Sequence, residues 1–410
     1  MVKHLRLPSS NLKRSLNLPL ITFYGLGNIL GAGIYVLVGK VAGVAGMYTP
    51  LAFVVACVVA SFTALSYAEL STRFPVSAGE AVYVQQGFGR KRLSIAVGLI
   101  VALSVAVSSA TITRGFVGYL QVFFDISPWI AISLLLLLLT SIAALGIRQA
   151  VSFAALLTVI EIFGLLFIIF IGGDALANIP SRFGELLPDF SFSSVVVIVA
   201  GGFLAFYAFL GFEDMVNVVE EVKDPQRNMP LGIILSLIVA SLFYVFVALV
   251  AVLNVSPLEL AESDAPLALV YSSVTGQDPV LIAVISLFAV VNGALIQIIM
   301  ISRILYGMSR QGWLPTLFSR IQEQTKTPVI ATVFVGIVVW MFALLFPLVI
   351  LAKITSFLVL LVFVFVNASL IQVRRKAEGL HKKGRYPLWI PYAGAISSAG
   401  LIFFEVIHSG

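Results

Sequence analysis

Two glycine-rich strings carry the chemistry of this sequence. The first is Gly25-Leu26-Gly27-Asn28-Ile29-Leu30-Gly31-Ala32-Gly33, and the second is Phe206-Tyr207-Ala208-Phe209-Leu210-Gly211-Phe212-Glu213. Both interrupt long apolar runs. Glycine tolerates unwound backbone, and unwinding inside a helix frees N–H groups at the start of the half-helix that follows. Those groups, at the positive end of the helix dipole, hold a carboxylate. Carbonyls freed at the other break hold an ammonium. Together they suit the two charged ends of an amino acid. Such glycines also let helices pack closely, as small-xxx-small patterns do. The paired positions, and the Phe212-Glu213 that closes the second string, favour a binding site over packing alone.

A few ionisable residues sit inside or beside apolar runs. Glu161, in Leu157-Thr158-Val159-Ile160-Glu161-Ile162-Phe163-Gly164, costs at least a few kcal/mol at mid-membrane, so it needs a partner or a task. Either it takes up and releases a proton or helps hold a cation, or it bonds a neighbouring backbone group or Arg114 and is structural. Glu213 and Asp214 read as a polar network closing an inner gate, or as a solvated half-helix face. Asn292 reads as an interhelical hydrogen bond or a polar contact to substrate or ion. Arg114 is expected to snorkel or pair, and Lys353 to anchor a helix near the outer surface. No nucleophile–His–acid set, zinc spacing or Walker-type lysine motif occurs, which argues against an enzyme or an ATP-driven pump. His4, His381 and His408 do not cluster, so neither metal nor cofactor is expected. Cys57, the one cysteine, lies inside an apolar run.

The elements that must position these residues are membrane-spanning helices. Apolar residues make up 60% of the 410 and charged residues 11%, less than half the roughly one quarter a soluble protein carries. Mean hydropathy is +1.08. Lipid is therefore the solvent for most of the surface. Segments of about 20 apolar residues can span the hydrocarbon core. They fall near 18–42, 48–72, 92–122, 127–147, 150–172, 194–218, 230–254, 280–309, 328–347, 349–373 and 389–407. Runs this long and uniform do not suit barrel strands, whose signal is a ten-residue alternation. The expected fold is an all-α membrane protein of about 11 transmembrane helices.

With residues 1–17 as a cytoplasmic tail, all 25 basic residues fall on the inner side except Lys40, Arg114, Arg182 and Lys353. This asymmetry follows the positive-inside rule, so the net charge of +6 reflects topology, and nucleic acid is not an expected partner. An odd helix count puts the C-terminus outside. The glycine strings lie in the first and sixth helices. Five helices is an odd number, so the second half runs upside down relative to the first, the signature of an inverted repeat with binding at broken helices near the midplane.

Four strings, in order, resemble the amino acid–polyamine–organocation (APC) superfamily of transporters. They are Gly25-x-Gly27-x-Ile29-x-Gly31-Ala32-Gly33-Ile34-Tyr35, then Phe206 through Glu213, then Glu220-Glu221-Val222-Lys223-Asp224-Pro225-Gln226-Arg227-Asn228-Met229-Pro230, and finally Ser302 through Pro315. The resemblance runs from about residue 15 to 375, toward prokaryotic permeases and cationic amino acid transporters. It implies a LeuT-like five-plus-five core with broken helices 1 and 6, working by alternating access. The core would cover 18–373, in halves 18–172 and 194–373, followed by a basic cytoplasmic loop 374–387 and an accessory helix within 388–410. Backbone at Ile29, Gly31, Ala32 and Gly33 would receive the substrate carboxylate. Carbonyls near Tyr207, Ala208 and Leu210 would receive its amino group. Phe212 would gate the site, with Glu213 at the inner gate. Glu161 stands where some proton-coupled relatives carry a lysine, which makes it the candidate for coupling to a proton or sodium ion. Cys57 is mid-helix, so a disulfide-linked heavy chain is not expected.

The leading expectation is a multi-pass cell-membrane secondary transporter of amino acids, proton-coupled and taking neutral substrates, since Ala32 replaces a hydroxyl residue and no extra carboxylate is expected to face the pocket. An exchanger of cationic amino acids or polyamines, and a sensor that binds without transport, are the alternatives. A channel would show a pore loop or charged rings, and neither is present.

Overall fold

The computed structural model describes residue 14 and residues 16–75, 79–145, 150–189, 191–323, 325, 327–377 and 385–408. The tail up to Lys13, together with Arg148, Lys326, Lys382 and Lys383, lies outside the described residues. Among those described, regular structure is helical throughout, and the one extended pairing is an isolated parallel bridge between Leu16 and Val222.

In chain order the helices are α1 (Leu18–Leu30), α2 (Ala32–Ala45), α3 (Thr49–Arg73), α4 (Gly79–Phe88), α5 (Lys91–Leu120), α6 (Pro128–Leu145), α7 (Ala150–Ile171) and α8 (Ile179–Leu186). There follow α9 (Phe192–Phe206), α10 (Pro225–Asn254), α11 (Pro257–Glu262), α12 (Pro266–Thr275), α13 (Val280–Arg310), α14 (Val329–Leu345), α15 (Leu348–Ala377) and α16 (Trp389–His408). Within the described residues, the bounds of every predicted apolar segment fall within five residues of a helix end. By length and apolarity alone, seven stretches among the described residues can cross a membrane, the first being the composite 18–73. An eighth arises if α7 is joined to the helical segment after it, from which it bends by 51°. The chain is thus a multi-pass, all-helical membrane protein.

Local chemistry sets the helix ends. Asn17 caps α1, its Oδ1 accepting from the Leu20 amide at 3.1 Å. Ser191 caps α9 in the same way. Ser256 and Glu259 form a capping box on α11. These residue types satisfy first-turn amides that the helix cannot. α10 starts five residues before its apolar run suggests, because Pro225 suits the first helical turn. Pro230 then lies inside the helix and has no N–H to give the Gln226 carbonyl. Arg385 Nη1 donates to that carbonyl instead, at 2.8 Å.

Around the site, α3 packs against both α9 and α10, α1 against α10 and α7, and α5 against α13 and α15. α16 lies on α15 and α3, with the Lys353 ammonium 2.7 Å from the Glu405 carboxylate. At the last turn of α3, Glu69 is 1% exposed. Its carboxylate accepts from Arg73 Nε at 2.9 Å, from both Nε and Nη2 of Arg374 on α15, and from the amides of Arg385 and Tyr386. One buried carboxylate therefore joins α3, α15 and the approach to α16.

Candidate functional site

The first glycine string breaks at a single residue. α1 stays helical through Gly25 and Gly27, and only Gly31 leaves the helix, with φ −30° and ψ −134°. α2 then starts at Ala32 with no side chain capping its first turn. The sequence suggests an interruption along the whole string; the structure confines it to one peptide. The second break is longer. α9 gives way to a 3₁₀ turn at Tyr207–Phe209, Leu210 is extended, and Gly211 has φ +124°. A 3₁₀ helix, Glu213–Glu221, continues the span in place of an α-helix.

The two breaks touch through their backbones. A Cβ on Gly211 would lie 2.6 Å from the carbonyl carbon of Asn28, and one on Gly33 would lie 2.6 Å from Ala208 Cα. Small residues permit this approach where a side chain would hold the spans apart. Tyr244 of α10 stitches the junction. Its hydroxyl reaches the carbonyl of Ile29 at 2.5 Å and that of Ala208 at 2.7 Å.

A cavity of about 30 Å³ lies between the breaks and is closed by α5 and α13. Of the residues predicted for the substrate, Ile29, Gly31, Gly33, Tyr207, Ala208 and Leu210 line it. Ala32 supplies backbone at the start of α2; its side chain is outside the described ones. Phe212 does not line the cavity. It is fully buried, with its ring centroid 5.8 Å from Tyr67 and 5.4 Å from Phe363. That volume suits about one water, less than an amino acid needs.

The cavity's polar wall is only partly legible in the sequence. Ser108 of α5 and Gln297 of α13 line it, Gln297 Nε2 donating to Ser108 Oγ at 2.9 Å. The Tyr207 hydroxyl lies 3.0 Å from the same Oγ. Asp214, an acidic residue not among those expected at the pocket, is also on this wall. The available signals are weak, a serine pair and one glutamine within apolar helices. Tyr244 gives no signal, since a tyrosine in an apolar run reads as packing.

Glu213 and Glu161 have different surroundings. Glu213 Oε2 accepts from the Gly211 amide at 2.9 Å and so braces the break from within. Glu161 is fully buried on α7, away from the cavity lining. Its Oε1 accepts from Asn292 Nδ2 at 3.1 Å, while Oε2 has no hydrogen-bond partner. Tyr35 donates to the Glu161 main-chain carbonyl at 2.6 Å. The interhelical reading of Asn292 therefore holds. Arg114 is not the partner of Glu161; its guanidinium donates to the Leu344 carbonyl at the end of α14.

Comparison with known sequences supplies the family. The profile of the family described as "Amino acid permease" matches residues 16–408. The chain belongs to the amino acid permease family, within the APC superfamily. Among its curated relatives is the branched-chain amino acid permease BcaP of Bacillus subtilis, 29% identical over 92% of this chain and 84% of that protein. The mitochondrial cationic amino acid transporter 3 of Arabidopsis thaliana is 30% identical over 88% of this chain and 63% of its own length. A methylthioribose transporter of Bacillus subtilis is 27% identical over 97% and 88%. In this permease the Glu220–Pro230 string forms the end of the 3₁₀ helix and the start of α10, turning at Asp224 with φ +44°. The Ser302–Pro315 string forms the C-terminal end of α13 and the turn at Gly312, φ +68°.

Proposed function

We propose that this permease carries an amino acid across a cell membrane by alternating access. The observation that supports it most directly is the uncapped N-terminus of α2 on the wall of a cavity enclosed by spans. Free first-turn amides and the helix dipole favour a carboxylate there, received by backbone at Ile29, Gly31, Ala32 and Gly33. The ammonium goes to carbonyls around Tyr207, Ala208 and Leu210. Phe212 and Glu213, on and after the second break, move with the gate. Eleven spans, an inner N-terminus, an outer C-terminus and a core of 18–172 plus 194–373 complete this reading. The spans supply the moving halves, residues 374–387 the inner loop, and α16 an accessory helix.

Counterflow of labelled amino acids into liposomes carrying the purified full chain tests it. Accumulation driven by unlabelled substrate inside is the expected result. Amino acid binding without counterflow would make the protein a sensor, and the absence of both would end the reading.

Coupling is assigned to Glu161. A carboxyl with one unpartnered oxygen in a membrane interior suits a proton or small cation that comes and goes. Acidifying the outside is expected to raise wild-type uptake several-fold, whereas Glu161→Gln uptake ignores the gradient. The glutamine side chain retains the acceptor that Asn292 uses, so folding should survive. A Glu161→Gln variant that still responds to the gradient sinks the coupling role.

A further inference from the structure

We infer that the connection between α13 and α14 holds an anionic phospholipid, with its phosphate on Arg320 and an acyl chain along α14. A second cavity, of about 230 Å³, opens there and is lined by Arg320, Ile321, Gln322, Val329 and Ile330. None of these residues belongs to the cavity between the breaks. α13 is a stretch that can cross the membrane, and the chain then turns at Gly312 and returns as the apolar α14. The connection therefore lies at a membrane face, where lipid headgroups sit.

The lining carries one charge, and it is positive. The Arg320 side chain makes no hydrogen bond or ion pair among the described residues. Glu323, three positions on, is exposed and does not line the cavity. The loop that carries Arg320 is tied down. The Gln322 amide donates to the Thr327 carbonyl at 3.0 Å, and the Thr327 hydroxyl donates to the Ala144 carbonyl of α6 at 2.7 Å. A guanidinium with its five donors unspent, on a fixed loop, suits the paired oxygens of a phosphate.

Water alone can satisfy an exposed arginine; the surface beside this one is what calls for a lipid. From Ile330 in the lining, exposed apolar side chains continue along α14 at Val333, Phe334, Ile337 and Met341. Steps of three and four place them on one helical stripe. Phe334 packs edge-on against Phe318 of the connection, with ring centroids 5.2 Å apart, so the stripe and the loop form one surface. A free anion would use the guanidinium and none of the stripe; a phospholipid uses both. A choline or ethanolamine headgroup brings an ammonium, and no carboxylate lines the cavity to receive it. A glycerol headgroup leaves the phosphate charge uncancelled, which matches the lining.

The test titrates the purified full chain in detergent with dioleoyl phosphatidylglycerol or dioleoyl phosphatidylcholine and counts bound lipid by native mass spectrometry. Wild type is expected to prefer phosphatidylglycerol. Arg320→Gln should weaken that lipid about fivefold, the contribution of one basic residue at an anionic lipid surface, and leave phosphatidylcholine unchanged. Arg92→Gln, which removes an exposed charge at the start of α5, should change neither. Millimolar inorganic phosphate should not displace the lipid. Equal affinity for the two lipids in wild type overturns the inference and needs no variant, so a misfolded Arg320→Gln does not shield it. Equal losses in Arg320→Gln and Arg92→Gln would reduce the effect to diffuse attraction, and displacement by phosphate would make this a free-anion site; either result also overturns it.

Discussion

Replacing Glu69 with alanine is expected to destabilise the permease by about 3–5 kcal/mol, the usual cost of removing one side of a buried ion pair. Arg374 is 6% exposed and would keep its charge with no counter-ion. Its remaining contact is the Pro387 carbonyl at 3.3 Å. Arg73, at the helix end, can turn to water. The amides of Arg385 and Tyr386 would also lose their acceptor, adding a hydrogen-bond penalty. The measurement is the temperature at which half the detergent-solubilised protein loses its monodisperse peak. Replacing Glu69 and Arg374 together with leucine should recover much of the loss, since the stranded charge goes with its partner. If Glu69→Ala alone melts like the wild type, the carboxylate does not hold these helices together.

Gly211→Ala is expected to abolish transport. At φ +124° an L side chain is strained by about 1–3 kcal/mol. The new methyl would also lie 2.6 Å from the Asn28 carbonyl carbon, and backbone cannot swing aside as a flexible side chain can. The spans must part at the wall of the cavity itself. Counterflow below about one tenth of wild type, with a lower melting temperature, is the expected pair of results. A comparison at Gly276, also at positive φ but with open space around its Cβ position, separates strain from collision: Gly276→Ala should lose stability without losing transport. Full activity in Gly211→Ala would mean that this contact is not part of the working site.

The helices and the second break are legible in the sequence because both are written in composition. Apolar runs have few alternatives in lipid, and a glycine with a following Phe-Glu in mid-run is hard to place in a continuous helix. The first break is legible only in outline. Gly25 and Gly27 remain helical because they serve as contact points: a Cβ on Gly25 would meet Met215 and Ser236, and one on Gly27 would meet Thr158. Sequence does not distinguish a glycine that bends the chain from one that makes room. Asp214 is hidden for a similar reason. It stands next to Glu213, in a helix whose 3₁₀ period the sequence does not reveal, so its direction cannot be derived. Glu69 escapes notice because all its partners but Arg73 lie more than 300 positions away, at Arg374, Arg385 and Tyr386. Spacing arguments reach one or two turns.

The tyrosine at the crossing of the two breaks has one proton and two carbonyls within reach. At any instant it satisfies one of them fully. One hydroxyl therefore ties both spans at their crossing, and a phenylalanine there would keep the shape but leave both carbonyls without that donor.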